Sequence, residues 1–343
     1  MGPLAPQPLT TMKNTLLTLA LFSALSAAQA QSYVMLYGVT DAALERVQGA
    51  TAATRLVSGQ QMGSRLGMRG VEDLGGGMNA QFLIEAGLGL DSGHSLYGRA
   101  FGRQSFVGLG GRLGTLRLGR QHTALDEIAN LVGTKPYDVL SVVPTVGAGE
   151  YQRVDQAITY LSPSFGGLTL QLQHSLASPR AGSEAFQRQT SAQALYSGGP
   201  FSLGLGLMRV ADGDGALAGR QRIRAALLAG SYTAGDFKLT AYADAEDKGD
   251  GRMKVYGLAG AYRRGANTVS LGLAQARDVR GTAAPDDDAT LFTLQGGHEL
   301  SHRTALYAHY TRVRNGAQSA LGFHNPVPCC ASSGLQVGVR HQF

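Results

Sequence analysis

Phe201-Ser202-Leu203-Gly204-Leu205-Gly206-Leu207 sets a large apolar residue at every odd position and a small or polar one at every even position. A period of two is the signature of a strand whose two faces meet different surroundings. The same alternation returns along the chain. Leu168, Leu170 and Leu172 oppose Thr169, Gln171 and Gln173. Phe237, Leu239, Ala241 and Ala243 oppose Lys238, Thr240, Tyr242 and Asp244, and Val269, Leu271 and Leu273 oppose Thr268, Ser270 and Gly272. At the C-terminus, Leu335, Val337, Val339 and Phe343 share one face, and the chain ends on that Phe. Only Thr123–Val132 carries an apolar stripe of helical period after residue 31.

A soluble β-sandwich also alternates, and three further features separate the two. The strands often reach ten residues, the length that a tilted strand needs to cross a bilayer. Their polar face carries Arg, Glu and Asp. Short turns such as Gly110-Gly111-Arg112, Ser197-Gly198-Gly199 and Thr233-Ala234-Gly235 alternate with long polar connections at Gln48–Gln61, Gln121–Gln152, Ala211–Gly219, Arg280–Asp288 and Asn315–Ser332. That asymmetry fits short periplasmic turns and longer outer loops. The pattern predicts an all-β fold, a transmembrane antiparallel barrel of sixteen strands in one domain, with the second strand near 62–72. Closure satisfies every backbone polar group in lipid and leaves no edge, and a barrel of this size encloses a water-filled lumen.

The N-terminus agrees with export. Lys13, the apolar run Leu16–Phe22 and the ending Ala28-Gln29-Ala30 form a positive region, a short apolar core and an A-x-A cleavage site. Residues 1–30 are therefore expected to be a signal peptide, with Met12 as its start and 1–11 an upstream extension, leaving 31–343 as a single domain. No later segment approaches the roughly 20 apolar residues of a spanning helix.

Composition narrows the chemistry. The chain has 48 glycines, no Trp and 16% charged residues, so 13 Tyr and 11 Phe must supply any interfacial girdle. Its 30 basic and 24 acidic residues give a net charge of +6, mostly from Arg. There is no basic cluster with interleaved aromatics to suggest nucleic acid, and an arginine-lined pore accounts for the excess better. The eight histidines show no metal-ligand spacing, and neither G-x-S-x-G nor H-E-x-x-H occurs, so no cofactor, metal or catalytic residue is expected. Asp286-Asp287-Asp288 reads as a hydrated loop crest, with a divalent cation as the alternative. Cys329-Cys330 reads as an incidental loop pair, with a vicinal disulfide as the alternative.

Several stretches in order resemble the trimeric general porins of Gram-negative bacteria, most closely the β-proteobacterial branch. They are Val34–Ala42, Gly63–Gly77, Phe101–Leu109, Gly114–Gln121, Arg153–Tyr160 and Val337–Phe343. The resemblance implies a homotrimer in outer-membrane lipid and lipopolysaccharide, passing small hydrophilic solutes and inorganic ions. It also implies a third loop, Gln121–Gln152, folded into the lumen to make an eyelet, with Arg65, Arg103 and Arg153 on the wall. Strand parity independently groups Arg65 with Arg69, Glu85 with Gln81, and Arg153 with Asp155 and Thr159. An Arg on the lipid face would cost roughly 2–4 kcal/mol, so these residues are expected to face water. The loop acids expected opposite them are Asp126, Glu127, Asp138 and Glu150. The family's Pro-Glu-Phe-Gly-Gly-like turn is replaced here by Lys135-Pro136-Tyr137-Asp138 and Val143–Gly147. Few carboxylates facing several arginines favour anions. The alternatives are a substrate-selective channel on the same barrel and an outer-membrane barrel hydrolase, for which no clustered acid–base pair is visible.

Overall fold

Among the described residues, seventeen hydrogen-bonded segments, all paired antiparallel, make one closed sheet. The computed structural model describes residues 32–49, 51–131, 152–176, 188–211, 223–247, 251–279, 286–322 and 330–343. The segments are β1 (Tyr33–Gln48), β2 (Ala52–Ser58), β3 (Arg65–Gly75), β4 (Met78–Gly87), β5 (Gln104–Gly111) and β6 (Gly114–His122). After helix α1 (Ala124–Leu131) come β7 (Arg153–Leu161), β8 (Leu168–Ser175), β9 (Arg188–Gly198), β10 (Phe201–Ala211), β11 (Ile223–Ala234) and β12 (Phe237–Asp247). Last are β13 (Arg252–Arg264), β14 (Asn267–Arg277), β15 (Ala289–Glu299), β16 (Thr304–Asn315) and β17 (Ala331–Gln342).

Sixteen positions circle the barrel, because β2 and β3 share one. The edge of β1 pairs Ala42–Gln48 with β2 and Tyr33–Val39 with β3. Six residues, Gly59–Ser64, then stand opposite only Thr40 and Asp41 on that edge. The expected long loop over 48–61 is thus corrected: half of it is strand β2, a short turn joins β1 to β2, and the rest begins this inserted bulge. Asp41 holds it. Its Oδ2 accepts the amides of Gln61 at 2.8 Å and Met62 at 2.6 Å, and its carbonyl accepts the Ser64 hydroxyl at 3.0 Å. Each satisfied amide would otherwise be a buried orphan donor.

Closure joins the first and last strands. β1 pairs with β17 from Val39↔Gln342 to Gln48↔Ser333, and the ladder ends in reciprocal bonds between Gly38 and Phe343, each 3.1 Å. A Cβ on Gly38 would lie 2.2 Å from the Phe343 ring, so the terminal aromatic sits where only glycine leaves room.

The two faces separate as the alternation predicted. Leu203, Leu205 and Leu207 are exposed on the outside of β10, whereas Met208 and Val210 are buried inside. Near the short turns, Phe201 pairs with Tyr232 and Phe237 with Tyr262, with ring centroids 5.0 and 4.6 Å apart, so Phe and Tyr occupy the girdle positions. Inside, the connection after β16 packs Leu321 onto Val255, Leu291 and Val313. The Asp triplet contributes to that packing. Asp287 is buried, not a hydrated crest, and the carbonyls of Asp286 and Asp288 accept the amides of Gln318 and Gly316. Among the described residues no cluster suited to a metal ion occurs. Cys330 is exposed and its carbonyl accepts the Asn315 amide; Cys329 lies outside the described residues.

Candidate functional site

Helix α1 enters the lumen rather than standing above it. Thr123 caps it: the Thr123 Oγ1 accepts the Asp126 amide at 3.4 Å. Leu125, Ile128 and Leu131 recur at i, i+3 and i+6 and form the apolar face. That face rests on the inner wall of β10 and β11. Leu125 packs with Met208, Val210, Ile223 and Ala225, and Ile128 with Leu227 and Ala229. Gly204 makes the close approach possible, because a Cβ there would stand 2.6 Å from Ile128 Cδ1. Two side chains from the wall hold the helix ends. Gln173 donates to the His122 carbonyl at 2.9 Å, and Lys238 Nζ reaches the Leu131 carbonyl at 3.5 Å, where a cation also suits the helix dipole.

Across from the helix, a cavity of about 370 Å³ is lined by Arg65, Glu85, Arg103, Arg153, Tyr97, His122 and Glu127. Among the described residues, three arginines face two carboxylates there. Glu85 lies on the same wall as the arginines and is held by all its neighbours: Arg103 Nε donates at 2.6 Å, Arg65 Nε stands at 3.5 Å and the Tyr37 hydroxyl donates at 2.8 Å. Arg103 is seated against the inserted bulge, since a Cβ on Gly63 would lie 2.8 Å from its Nη1. Arg153 spreads its guanidinium over the Tyr97 ring, 5.0 Å from the centroid. Tyr97 belongs to the β4–β5 connection and has a φ of 67°.

The other expected residues stand elsewhere. Arg69 is exposed nearer the short-turn end, 5.7 Å from the Tyr37 centroid, and does not line the cavity. Asp126 is fully buried and bonds His122 Nδ1, one helical turn back, so Glu127 and not Asp126 presents a carboxylate to the arginines. Asp138 and Glu150 lie outside the described residues. The alternation expected to join Arg153, Asp155 and Thr159 is broken within β7. The buried series Thr159 and Ala157 continues at Val154, because Gln156 (φ 51°) adds a residue where the β6–β7 register slips. Asp155 instead bridges Arg99 at 2.5 Å and Arg120 at 2.6 Å, tying the β4–β5 connection to the wall. Tyr97, Gln152 and His122 were not anticipated at the site, and the sequence carries no pattern that would mark them.

A closed antiparallel barrel with an apolar exterior, a charged interior and a loop helix seated inside defines a membrane channel. The chain belongs to the Gram-negative porin family, which matches residues 16–318, and it is a diffusion porin of the outer membrane. It is 32% identical to outer membrane porin protein 32 of Delftia acidovorans over 97% of this chain and 100% of the relative. It is 28% identical to an outer membrane porin protein of Bordetella pertussis, again over 97% and 100%. Among solved structures, the anion-selective porin from Comamonas acidovorans superposes with a TM-score of 0.77 at 26% identity, over 91% of this chain and 100% of the other.

Proposed function

We propose that the mature chain, from Gln31 onward after removal of residues 1–30, passes small hydrophilic solutes and inorganic ions with a preference for anions. The eyelet lies between the Arg65–Arg103–Arg153 wall and helix α1. The observation that carries this reading is the charge of the cavity. Among the described residues, three guanidinium groups line it against the carboxylates of Glu85 and Glu127. Lumenal arginines lower the barrier for anions and raise it for cations. The likeness to a porin named as anion-selective supports the same sign. Helix α1 sets the size limit, and diffusion needs no covalent step. The assembly is a homotrimer embedded in outer-membrane lipid and lipopolysaccharide, as the family resemblance implies.

The test is single-channel conductance of the refolded protein in a planar bilayer, with the reversal potential taken under a KCl gradient. Steps in threes and a reversal potential shifted toward that of chloride are expected. A shift toward potassium would overturn the anion preference, and steps that never group in threes would overturn the trimer.

A further inference from the structure

Diffusion of small ions does not account for the conformation of Tyr97. Its backbone stands at φ 67° and ψ 14°, a left-handed geometry that costs a bulky residue about 1–3 kcal/mol, although Gly98 is next in sequence. The surroundings hold that strain in place. Arg99 is locked to Asp155 at 2.5 Å, and the Ser95 hydroxyl donates to the Arg99 carbonyl at 2.6 Å. Gly87 and Gly102 leave the space that Tyr97 occupies, since a Cβ on either would lie 3.0 and 2.8 Å from it. The β4–β5 connection thus presents an aromatic ring to the arginine cavity, at the expense of its own backbone.

The neighbours of that ring define a ligand. Arg153 lies over it, 5.0 Å from the centroid, yet Tyr97 remains 48% exposed. Arg65 is loosely held: its Nη1 reaches the Gly63 carbonyl at 3.4 Å and its Nε stands 3.5 Å from Glu85, whereas Arg103 binds that carboxylate at 2.6 Å. Arg103 and Arg153 both repel Arg65, so an anion between Arg65 and Arg153 relieves the crowding of like charges. A guanidinium fork takes a carboxylate in bidentate fashion, and an aromatic ring packs against Tyr and against the guanidinium plane. A benzene ring fills a cavity of about 150 Å³, so one of about 370 Å³ admits a ring, its carboxylate and water. We infer that the eyelet holds a subsite for aromatic carboxylates, with the carboxylate on Arg65 and Arg153 and the ring against Tyr97. The inference rests on the anion-preferring reading above and adds a choice among anions that charge alone does not give.

The test uses the refolded channel in planar bilayers in KCl, with benzoate added and the concentration that halves the chloride current measured. The current should fall in a saturable way. Cyclohexanecarboxylate, equal in charge and similar in size but without a π face, should need about five-fold more, the scale of one aromatic pair. Tyr97→Phe should keep that difference, Tyr97→Leu should abolish it, and R153Q should weaken the block by both carboxylates. Equal half-blocking concentrations of benzoate and cyclohexanecarboxylate in the wild type would overturn the proposal. So would a Tyr97→Leu channel that still separates them, or a block by neutral benzyl alcohol at the benzoate concentration. The reversal potential under a KCl gradient, taken in the same bilayers, keeps two failures apart. Chloride preference without ring preference overturns this inference alone, whereas potassium preference overturns the reading on which it rests.

Discussion

Glu85 receives Arg103, Arg65 and the Tyr37 hydroxyl together, which makes it the residue on which the arginine wall is strung. Glu85→Gln keeps its shape and removes one negative charge from the eyelet. A unit charge about 6 Å from a passing ion is worth about 0.7 kcal/mol in water, with opposite sign for chloride and potassium, so the chloride-to-potassium permeability ratio should rise by up to about ten-fold. That gain should be present at 0.1 M salt and nearly absent at 1 M, where the screening length falls to about 3 Å. Reversal potentials at both concentrations check it; an unchanged ratio at low salt would show that Glu85 does not sense the permeating ion. Glu85→Ala should in addition lower unfolding stability by about 3 kcal/mol, because Arg103 is buried and would lose its carboxylate, as denaturant titration in vesicles would show. Period-two parity was enough to put Arg65 and Glu85 on the inner face. It does not run unbroken along β7 to Arg153, which lines the cavity all the same, since a positive φ at Gln156 interrupts the strand and nothing in a non-glycine residue announces that bulge.

At the scale of elements, α1 is held to β10 and β11 mainly by dry contact. Ile128 is fully buried there, over glycines that admit it. Ile128→Ser should cost about 3 kcal/mol at that seat and release the helix from the wall. Neutral sugars should then enter proteoliposomes faster, as read by swelling rates, while the sign of the ion preference stays the same. Unchanged sugar rates would mean that α1 does not set the aperture. The helix was legible in the apolar stripe of Thr123–Val132. Which acid faces the pore was not, because Asp126 and Glu127 are adjacent and only the capping geometry at Thr123 and His122 draws Asp126 inward. The inserted residues Gly59–Ser64 were equally hidden. Polar and glycine-rich, they read as part of a loop, and the buried Asp41 that organises them lies in another strand.

For the whole molecule, the circle depends on its seam. Deleting Phe343 removes two backbone bonds to Gly38 and the ring that covers it. At about 1 kcal/mol net for each bond, and more where lipid leaves the freed groups without water, the barrel should unfold at lower denaturant. It should also fold more slowly, followed by heat-modifiable migration on gels. Folding at the wild-type rate would show that the seam is already secured by β1 and β17 alone. The number of wall positions was readable because every crossing repeats one simple pattern and short turns alternate with long polar connections between them.

The eyelet has two sides that answer to different physics. Charge is written mainly on the wall, in Arg65, Arg103 and Arg153 around Glu85, with Glu127 answering from α1; width is written in the greasy underside of that short helix, where it meets β10 and β11. A substitution in the arginine wall leaves the seat of the helix undisturbed, and a substitution in that seat leaves the arginines in place. A lineage, or an engineer, can therefore retune which ions are welcomed without altering what fits, and reshape what fits without altering which ions are welcomed.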